Sequence, residues 1–492
     1  MPVWLGGARN MEEDLGAGMD NVQRENGKRV IVLILSFVDL AILTGVYAIF
    51  WFARFYPLVR VRRFSANGVI YFAEGLKFYF RGHLLILFIY FVLLWFFLGT
   101  YGGLRIGYLK VPDLFFSQIF AIVIVNVLTY FQTSLMRNWV VDVWPYLFMT
   151  CAELAATMVW LLISAAIYRR IFPPRRLLLV HGTHPIEEIH RKFESRKDKY
   201  IITQLVDIRM GVSEVERLYE GGDFDAIVIW DVPTTERNLL LKYCYGKNIR
   251  IYTSPKISDV LIKGSEQMHL FDTPIFLIRE QSIRAEQLFI KRVSDIVLSL
   301  LLLVIASPIM LVTALIIHFT DGGPVLYRQT RCTRGMKEFQ ILKFRSMRID
   351  AEKDGVARLA EKNDSRITPV GRVIRSVRID ELPQLINILK GEMSFIGPRP
   401  ERPEIIREYV KQMPEFIFRT QVKAGLAGYA QVYGKYNTTP YDKLKLDLTY
   451  VENYSIWLDL KLMLLTLKIL FTPEATEGVE AGQVTAQKDQ NE

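Results

Sequence analysis

Two adjacent acids, Asp380 and Glu381, precede an apolar run near the middle of the stretch 374–400, which ends in Gly-Pro-Arg-Pro. We expect this run to form a helix. A carboxylate near a helix N-terminus is stabilised as the anion by free backbone N–H groups and by the helix dipole. Such an anion can act as a nucleophile or help to hold a divalent metal. Spacing alone favours a plainer alternative, in which Asp380 only caps the helix.

Basic residues near the acid pair could offset the charge of a phosphorylated substrate. Four of them are Arg372, Arg375, Arg378 and Arg399. Upstream, GGPVLYRQTR and FQILKFRSM predict a strand pair that carries Lys343 and Arg345 among apolar residues. That pattern fits either phosphate binding or a solvated sheet face.

The motifs DELPQLINILKGEMSFIGPRP, KFRSM and KAGLAGYAQV resemble the bacterial sugar transferase family, the monotopic phosphoglycosyl transferases. The resemblance covers about residues 284–470. It implies that Asp380 is the nucleophile, and that Glu381 is the neighbouring acid associated with Mg²⁺. The residues expected to bind substrate are Lys343, Arg345, Arg375, Pro398, Arg399 and Pro400.

The chain departs from the family pattern in two places. Cys332 stands where the family usually has Gly. The downstream loop has Ala424, Ala427 and Tyr429 in place of Pro, Thr and Trp. The nucleotide and sugar contacts therefore stay open.

Composition places part of the chain in lipid. The 492 residues are 51% hydrophobic, which is too apolar for an ordinary soluble protein. Four apolar stretches approach the length needed to span a membrane: 30–53, 84–101, 114–131 and 144–168. The alternative is that they are buried helices of a soluble protein. Asp39, inside the first stretch, is either functional or faces a neighbouring helix. The net charge of +10 suits anionic lipid or phosphorylated substrates, and no nucleic-acid partner is expected because no nucleic-acid-binding motif occurs.

Short apolar strands alternate with polar helices after the fourth apolar stretch. The strands are predicted at 177–180, 201–206, 226–230 and 249–252. This pattern predicts a doubly wound, Rossmann-like domain. Its first turn, HGTHP, has Gly182 alone, so we expect a scaffold or regulatory role without a dinucleotide.

The apolar segment 293–319 contains a helix-breaking pair, Ser307 and Pro308. Its length favours a fifth membrane span. The family resemblance instead implies a re-entrant helix that bends at this pair and returns to the cytoplasmic face. A re-entrant helix would place the active site at the lipid headgroups, and we adopt this interpretation.

The predicted fold is thus a membrane α/β protein with transmembrane helices, a Rossmann-like domain and a C-terminal α+β catalytic domain. The expected segments are a cytoplasmic tail (1–29), a four-helix membrane region (30–172), a regulatory or scaffold domain (173–283), a catalytic domain (284–472) and a disordered tail (473–492). The amphipathic segments 441–457 and 458–471 fit membrane contact and core packing equally.

The resemblance implies transfer of a hexose-1-phosphate from a UDP-sugar to undecaprenyl phosphate, with galactose or glucose as the expected sugar. The expected place is the cytoplasmic face of the bacterial inner membrane, and the expected pathway starts exopolysaccharide, capsule or O-antigen synthesis. Membrane lipid, a second copy of the chain and downstream glycosyltransferases are the further expected partners. The alternatives are an inactive membrane scaffold or regulator and a single-displacement transferase.

Overall fold

The computed structural model describes residues 4–66, 69–182, 186–278, 283–348, 364, 366–434 and 438–470. The chain forms two compact units, Met1–Ser254 and Pro255–Glu492. The predicted disordered tail, 473–492, lies outside the described residues, as do the last three residues of the HGTHP turn, 183–185.

Long apolar helices open the first unit, which confirms the prediction from composition. They are α1 (Trp4–Phe50), its continuation through a π-helical turn into α2 (Tyr56–Val59), α3 (Phe80–Tyr101), α4 (Val111–Arg137) and α5 (Trp144–Ile171). A hairpin of β1 (Val61–Ala66) and β2 (Val69–Glu74) joins α2 to α3. Four helical stretches of this unit are long and apolar enough to cross a membrane. The second and third, predicted at 84–101 and 114–131, have 22 and 27 residues, so both reach spanning length.

Polar side chains join these helices in pairs. Asp39 of α1 is fully buried and accepts a hydrogen bond from Gln118 of α4 at 2.5 Å. This contact supports the interpretation that Asp39 faces a neighbouring helix.

A parallel α/β sheet completes the first unit, as predicted. Its strands are β3 (Arg175–His181), β4 (Tyr200–Asp207), β5 (Ala226–Trp230) and β6 (Ile251–Thr253), in the order β4-β3-β5-β6. The helices between the strands are α6 (Glu187–Glu194), α7 (Val212–Gly221) and α8 (Thr234–Gly246). Leu178 of β3 packs in one apolar cluster with Leu240 of α8, and Leu177 packs in another with Ile189 of α6. The Rossmann-like winding stays a prediction.

The second unit contains the remaining elements. They are α9 (Ile257–Gly264), β7 (Glu266–Leu270), β8 (Thr273–Leu277), α10 (Ala285–Asp321), β9 (Leu326–Cys332), β10 (Glu338–Phe344), α11 (Pro369–Ser376), α12 (Gln384–Lys390), β11 (Ser394–Ile396), α13 (Pro403–Gln412), β12 (Gly425–Ala427), α14 (Tyr429–Tyr433), α15 (Pro440–Glu452) and α16 (Ile456–Leu470). Strands β9 and β10 form the predicted strand pair, which is antiparallel, and β11 pairs in parallel with β12.

The division after Ser254 places α9 and the β7-β8 hairpin with the second unit, whereas the sequence suggested a boundary near residue 283. Packing explains the difference, because Val260 of α9 belongs to one apolar cluster with Leu444 and Leu448 of α15. Helix α15 is therefore a core helix. On α16, Leu462 is fully buried while Trp457 is 73% exposed, so core packing and an exposed apolar face occur on the same helix.

Helix α10 continues through Ser307 and Pro308 without leaving the helical state, so the predicted break is not a gap in the helix. Proline removes the hydrogen bond that the carbonyl four residues earlier would accept. That carbonyl belongs to Val304, and the Ser307 hydroxyl donates to it at 2.8 Å. Serine thus satisfies the freed group, as expected for a proline inside lipid. Whether the helix re-enters stays a prediction.

Candidate active site around Asp380 and Glu381

The acid pair lies on a 3-10 turn, Ile379–Glu381, and α12 begins three residues later at Gln384. This corrects the expectation that a helix N-terminus stabilises the pair. The residue before the turn, Arg378, has a φ of 59°. A non-glycine residue in this left-handed region is strained and is typical of sites where the backbone is held for function.

Three cations surround Glu381. Its Oε1 lies 2.9 Å from Lys343 Nζ, 3.4 Å from Arg399 Nη2 and 3.6 Å from Arg378 Nη1. Burial would raise the pKa of Glu381, but Lys343, Arg399 and Arg378 outweigh burial and hold the pKa well below its usual range. Glu381 is therefore an anion at neutral pH.

Asp380 has a different environment, although it is the next residue. It is 8% exposed, and its Oδ1 has no hydrogen-bond partner among the described residues. Burial and then the charge of Glu381 raise the pKa of Asp380, against the opposing charges of Lys343, Arg375 and Arg378. An oxygen without a hydrogen-bond partner is suited to react with, or bind, an incoming group.

Backbone contacts hold the Pro398-Arg399-Pro400 turn. The carbonyl of Pro398 accepts from Gly425 N at 2.9 Å. The carbonyl of Arg399 accepts from Arg419 at 3.1 Å, and that of Pro400 accepts from Arg331 at 3.0 Å. These contacts fix the turn that carries the Arg399 side chain to Glu381.

Arg345 contacts a different part of the protein from Lys343, although both belong to the KFRSM motif. Its side chain is buried and donates to the carbonyl of Gly322, which caps the C-terminal end of α10. Its backbone N–H donates to Val325 O at 2.9 Å. Lys343 and Arg399 thus contact Glu381, Arg375 lowers the pKa of Asp380 against burial, and Arg345 instead contacts the C-terminal end of α10.

Sequence reasoning missed the ion pair behind this turn. Arg419 and Asp447 are 3% and 1% exposed in their side chains and lie 2.8 Å apart. Glu401 lies 3.7 Å from Arg419. Burial would raise the pKa of Glu401, but the charges of Lys443, Arg419 and Arg331 outweigh burial and lower that pKa. No motif or periodicity connects residues 419 and 447, so only the tertiary fold shows the pair.

A divalent cation fits the acid pair. Mg²⁺ prefers carboxylate oxygens and commonly uses one or two of them together with substrate phosphates. Asp380 and Glu381 offer two carboxylates, and Asp380 Oδ1 is buried without a partner among the described residues. No group of three or more His, Cys, Asp or Glu able to hold a metal occurs in the described part of the chain. Substrate oxygens would have to complete the coordination.

Comparison with known proteins gives the class of the second unit. Residues 286–473 match the family described as Bacterial sugar transferase. A UDP-glucose:undecaprenyl-phosphate glucose-1-phosphate transferase of Caulobacter vibrioides is 41% identical over 189 residues, which are 37% of this chain and 70% of that protein. The chain belongs to the bacterial sugar transferase family.

Other relatives are similar over a smaller share of their length. A UDP-N-acetylgalactosamine-undecaprenyl-phosphate N-acetylgalactosaminephosphotransferase of Aeromonas hydrophila is 37% identical over 47% of this chain and 55% of that protein. An undecaprenyl-phosphate galactose phosphotransferase of Salmonella typhimurium is 32% identical over 50% of this chain and 58% of that protein. The chain thus spans somewhat more than half the length of these two relatives.

Proposed function

We propose that this protein transfers a hexose-1-phosphate from a UDP-sugar to undecaprenyl phosphate. The observation that carries the proposal is the convergence of Lys343, Arg378 and Arg399 on Glu381, beside the buried Asp380. This cluster lies inside the segment that matches the family. An inactive scaffold would have no use for a strained turn that holds two acids among basic residues.

Asp380 acts as the nucleophile in this proposal. Its carboxylate oxygen attacks the phosphorus next to the sugar and forms an acyl phosphate, while the bond to the nucleotide breaks and UMP leaves with the electron pair. A phosphate oxygen of the lipid then attacks the same phosphorus, and the Asp380 carboxylate leaves unchanged. The product is a polyprenyl diphosphate sugar.

The cations have two roles in this scheme. Arg399 and Lys343 attract the diphosphate of the donor and keep Glu381 ionised. Arg375 lowers the pKa of Asp380 against burial, which favours the attacking anion. Mg²⁺, held by Asp380 and Glu381, would neutralise charge on the donor phosphates.

A re-entrant α10 would bring this site to the lipid acceptor. Both ends of α10 pack within the second unit: Lys291 pairs with Asp459 at 2.6 Å, and Ile317 packs with Phe344 and Ile374. Side chains near the middle, such as Val304, are exposed and apolar. A helix anchored at both ends to one domain fits a wedge that enters and leaves on one face.

Cysteine labelling tests this topology. In a chain whose native cysteines are replaced by alanine, Glu286→Cys and Thr320→Cys should both resist a membrane-impermeant thiol reagent in intact cells. Asp142→Cys, which follows the third span, should react and serves as the positive control. Labelling of Thr320→Cys but not of Glu286→Cys would mean that α10 crosses the membrane.

The sugar stays open in this proposal. The names of the relatives given above contain glucose, galactose and N-acetylgalactosamine. A test restricted to galactose and glucose, the sugars expected from the sequence, would therefore cover too few donors. The purified full chain should be incubated with undecaprenyl phosphate, Mg²⁺ and each of several labelled UDP-sugars. Label in the lipid phase with at least one sugar supports the proposal. No lipid label with any UDP-sugar, in a correctly folded preparation, would overturn it.

A further inference from the structure

The N-terminal part of α10 contacts both segments that carry active-site residues. Three side chains make these contacts, and together we name Lys291, Arg292 and Asp295 the base latch. They lie within five residues of one another, so they occupy little more than one helical turn. None of them belongs to the site described above.

Arg292 caps the end of α12, the helix that follows the acid pair. Its two terminal nitrogens donate to the carbonyls of Ile388 and Leu389, each at 2.6 Å. Carbonyls in the last turn of a helix have no N–H four residues on to bond, and of these two only Ile388 O also accepts from the capping Gly391 N, at 2.9 Å. A cation at this end also complements the helix dipole. A Cβ on Gly391, the left-handed residue that ends α12, would lie 3.3 Å from Arg292, so glycine makes room for the guanidinium.

Asp295 and Lys291 hold β11, the strand that leads into the Pro398-Arg399-Pro400 turn. Asp295 is 4% exposed and accepts from the Ser394 hydroxyl and from Phe395 N, both at 3.0 Å. Lys291 Nζ donates to Ile396 O at 3.0 Å.

A buried network fixes Lys291 itself. Its ammonium also bonds to Asp459 at 2.6 Å and to the Tyr450 hydroxyl at 3.1 Å, so three acceptors use its three donors. Tyr450 in turn donates to Asp459 at 2.8 Å. A fully satisfied buried network of this kind holds one geometry rigidly.

Helix α12, which Arg292 caps, is also connected to the acid pair through β10. Asn387 of α12 accepts from Leu342 N at 3.0 Å and donates to Gln340 O at 2.8 Å. Lys343, the next residue of β10, pairs with Glu381. One turn of the membrane helix therefore holds both sides of the Glu381–Arg399 pair.

We propose that the base latch is a positioning device that fixes the height of the acid pair and Arg399 relative to the membrane helix. This proposal rests on the proposed transferase function. The donor is soluble and binds groups that move together with the second unit. The acceptor phosphate is held at the membrane surface by its polyprenyl chain. A loose latch should therefore impair use of the acceptor and spare use of the donor.

Arg292→Met tests the latch, with Lys390→Met as the matched control. Lys390 is exposed and is the cation in the last turn of α12, the helix that Arg292 caps. Its loss therefore removes one positive charge near the same helix end without breaking the latch. Arg292→Met should raise the KM for undecaprenyl phosphate by about ten- to a hundredfold, the scale on which small displacements act. The KM for the UDP-sugar should stay within twofold, and Arg292→Lys should restore part of the loss.

Hydrogen exchange gives a second readout that does not require turnover. Arg292→Met should speed amide exchange in 384–390 and 394–396, and Lys390→Met should leave β11 unchanged. If Arg292→Met does not fold, Ser394→Ala, which removes one donor to Asp295, should give the same pattern with a smaller amplitude. Unchanged exchange, or equal changes in both KM values, would overturn the latch. Failure of the wild-type chain to transfer any sugar would instead overturn the proposed function, and the exchange result would still decide the latch.

Discussion

Two glutamates of this chain, Glu153 fully buried and Glu381 with a side chain 12% exposed, have opposite surroundings. Glu153, in membrane helix α5, accepts hydrogen bonds from the Tyr90 hydroxyl at 2.6 Å and from the Asn126 amide at 2.7 Å. Glu381 instead has three basic side chains around one oxygen. Neutral donors satisfy the oxygens of a carboxyl group without adding positive charge around it, whereas an excess of cations attracts phosphates. Burial of an acid therefore marks a candidate catalytic site only in combination with its partners.

The largest expected effect is the loss of Asp380. Asp380→Asn keeps the size of the side chain but removes the attacking anion, so turnover should fall by a factor on the order of a thousand or more. Expression and membrane insertion should be unchanged. Lipid-linked label from the best UDP-sugar measures the effect, with Asp272→Asn, in an exposed turn, as the matched control. Turnover near the wild-type rate would exclude Asp380 as the nucleophile.

A smaller loss is expected at the neighbouring acid. Glu381→Gln removes the negative charge that three cations surround. Turnover should fall on the order of a hundredfold, the scale of one lost electrostatic contact in an active site. The Mg²⁺ concentration for half-maximal activity should rise. Because Glu381 contacts Lys343, the losses from Glu381→Gln and Lys343→Met should not add. Additive losses would show that the two side chains act separately.

The smallest effect on catalysis is expected in the membrane helices. Glu153→Leu leaves Tyr90 and Asn126 without their shared acceptor, and each lost hydrogen bond in a membrane protein costs about 0.6–2 kcal/mol. The unfolding temperature in detergent should fall, while turnover per folded molecule should stay within twofold. Glu153→Gln should destabilise less. If Glu153→Gln abolished transfer in folded protein, the contrast between the two glutamates would fail.

Much of this organisation could be predicted from local sequence. The strand pair around Lys343, the parallel sheet and the long apolar helices follow from periodicity and hydropathy, which are properties of neighbouring residues. The family resemblance predicted Lys343, Arg375 and Arg399 as site residues. Lys343 and Arg399 contact Glu381, and Arg375 acts on the pKa of Asp380.

Other features depend on contacts between distant residues. Arg292 and Ile388 are 96 residues apart, and Arg419 and Asp447 form a buried pair that no spacing rule connects. The 3-10 turn was missed because apolar spacing continues from the acid pair into α12, while the left-handed conformation of Arg378 is set by tertiary structure. Arg345 shares a motif with Lys343 but contacts the end of α10, so motif membership does not fix a role.

The covalent role of Asp380 is tested most directly by incubating the full chain with the UDP-sugar and Mg²⁺ in the absence of lipid acceptor. The two-step route predicts a burst of about one UMP per active site and a labelled sugar phosphate on Asp380, which undecaprenyl phosphate then discharges. Asp380→Asn should give neither burst nor label. A single displacement needs both substrates before any product forms. Absence of UMP release without acceptor, in a preparation that is fully active with acceptor, would contradict the covalent route.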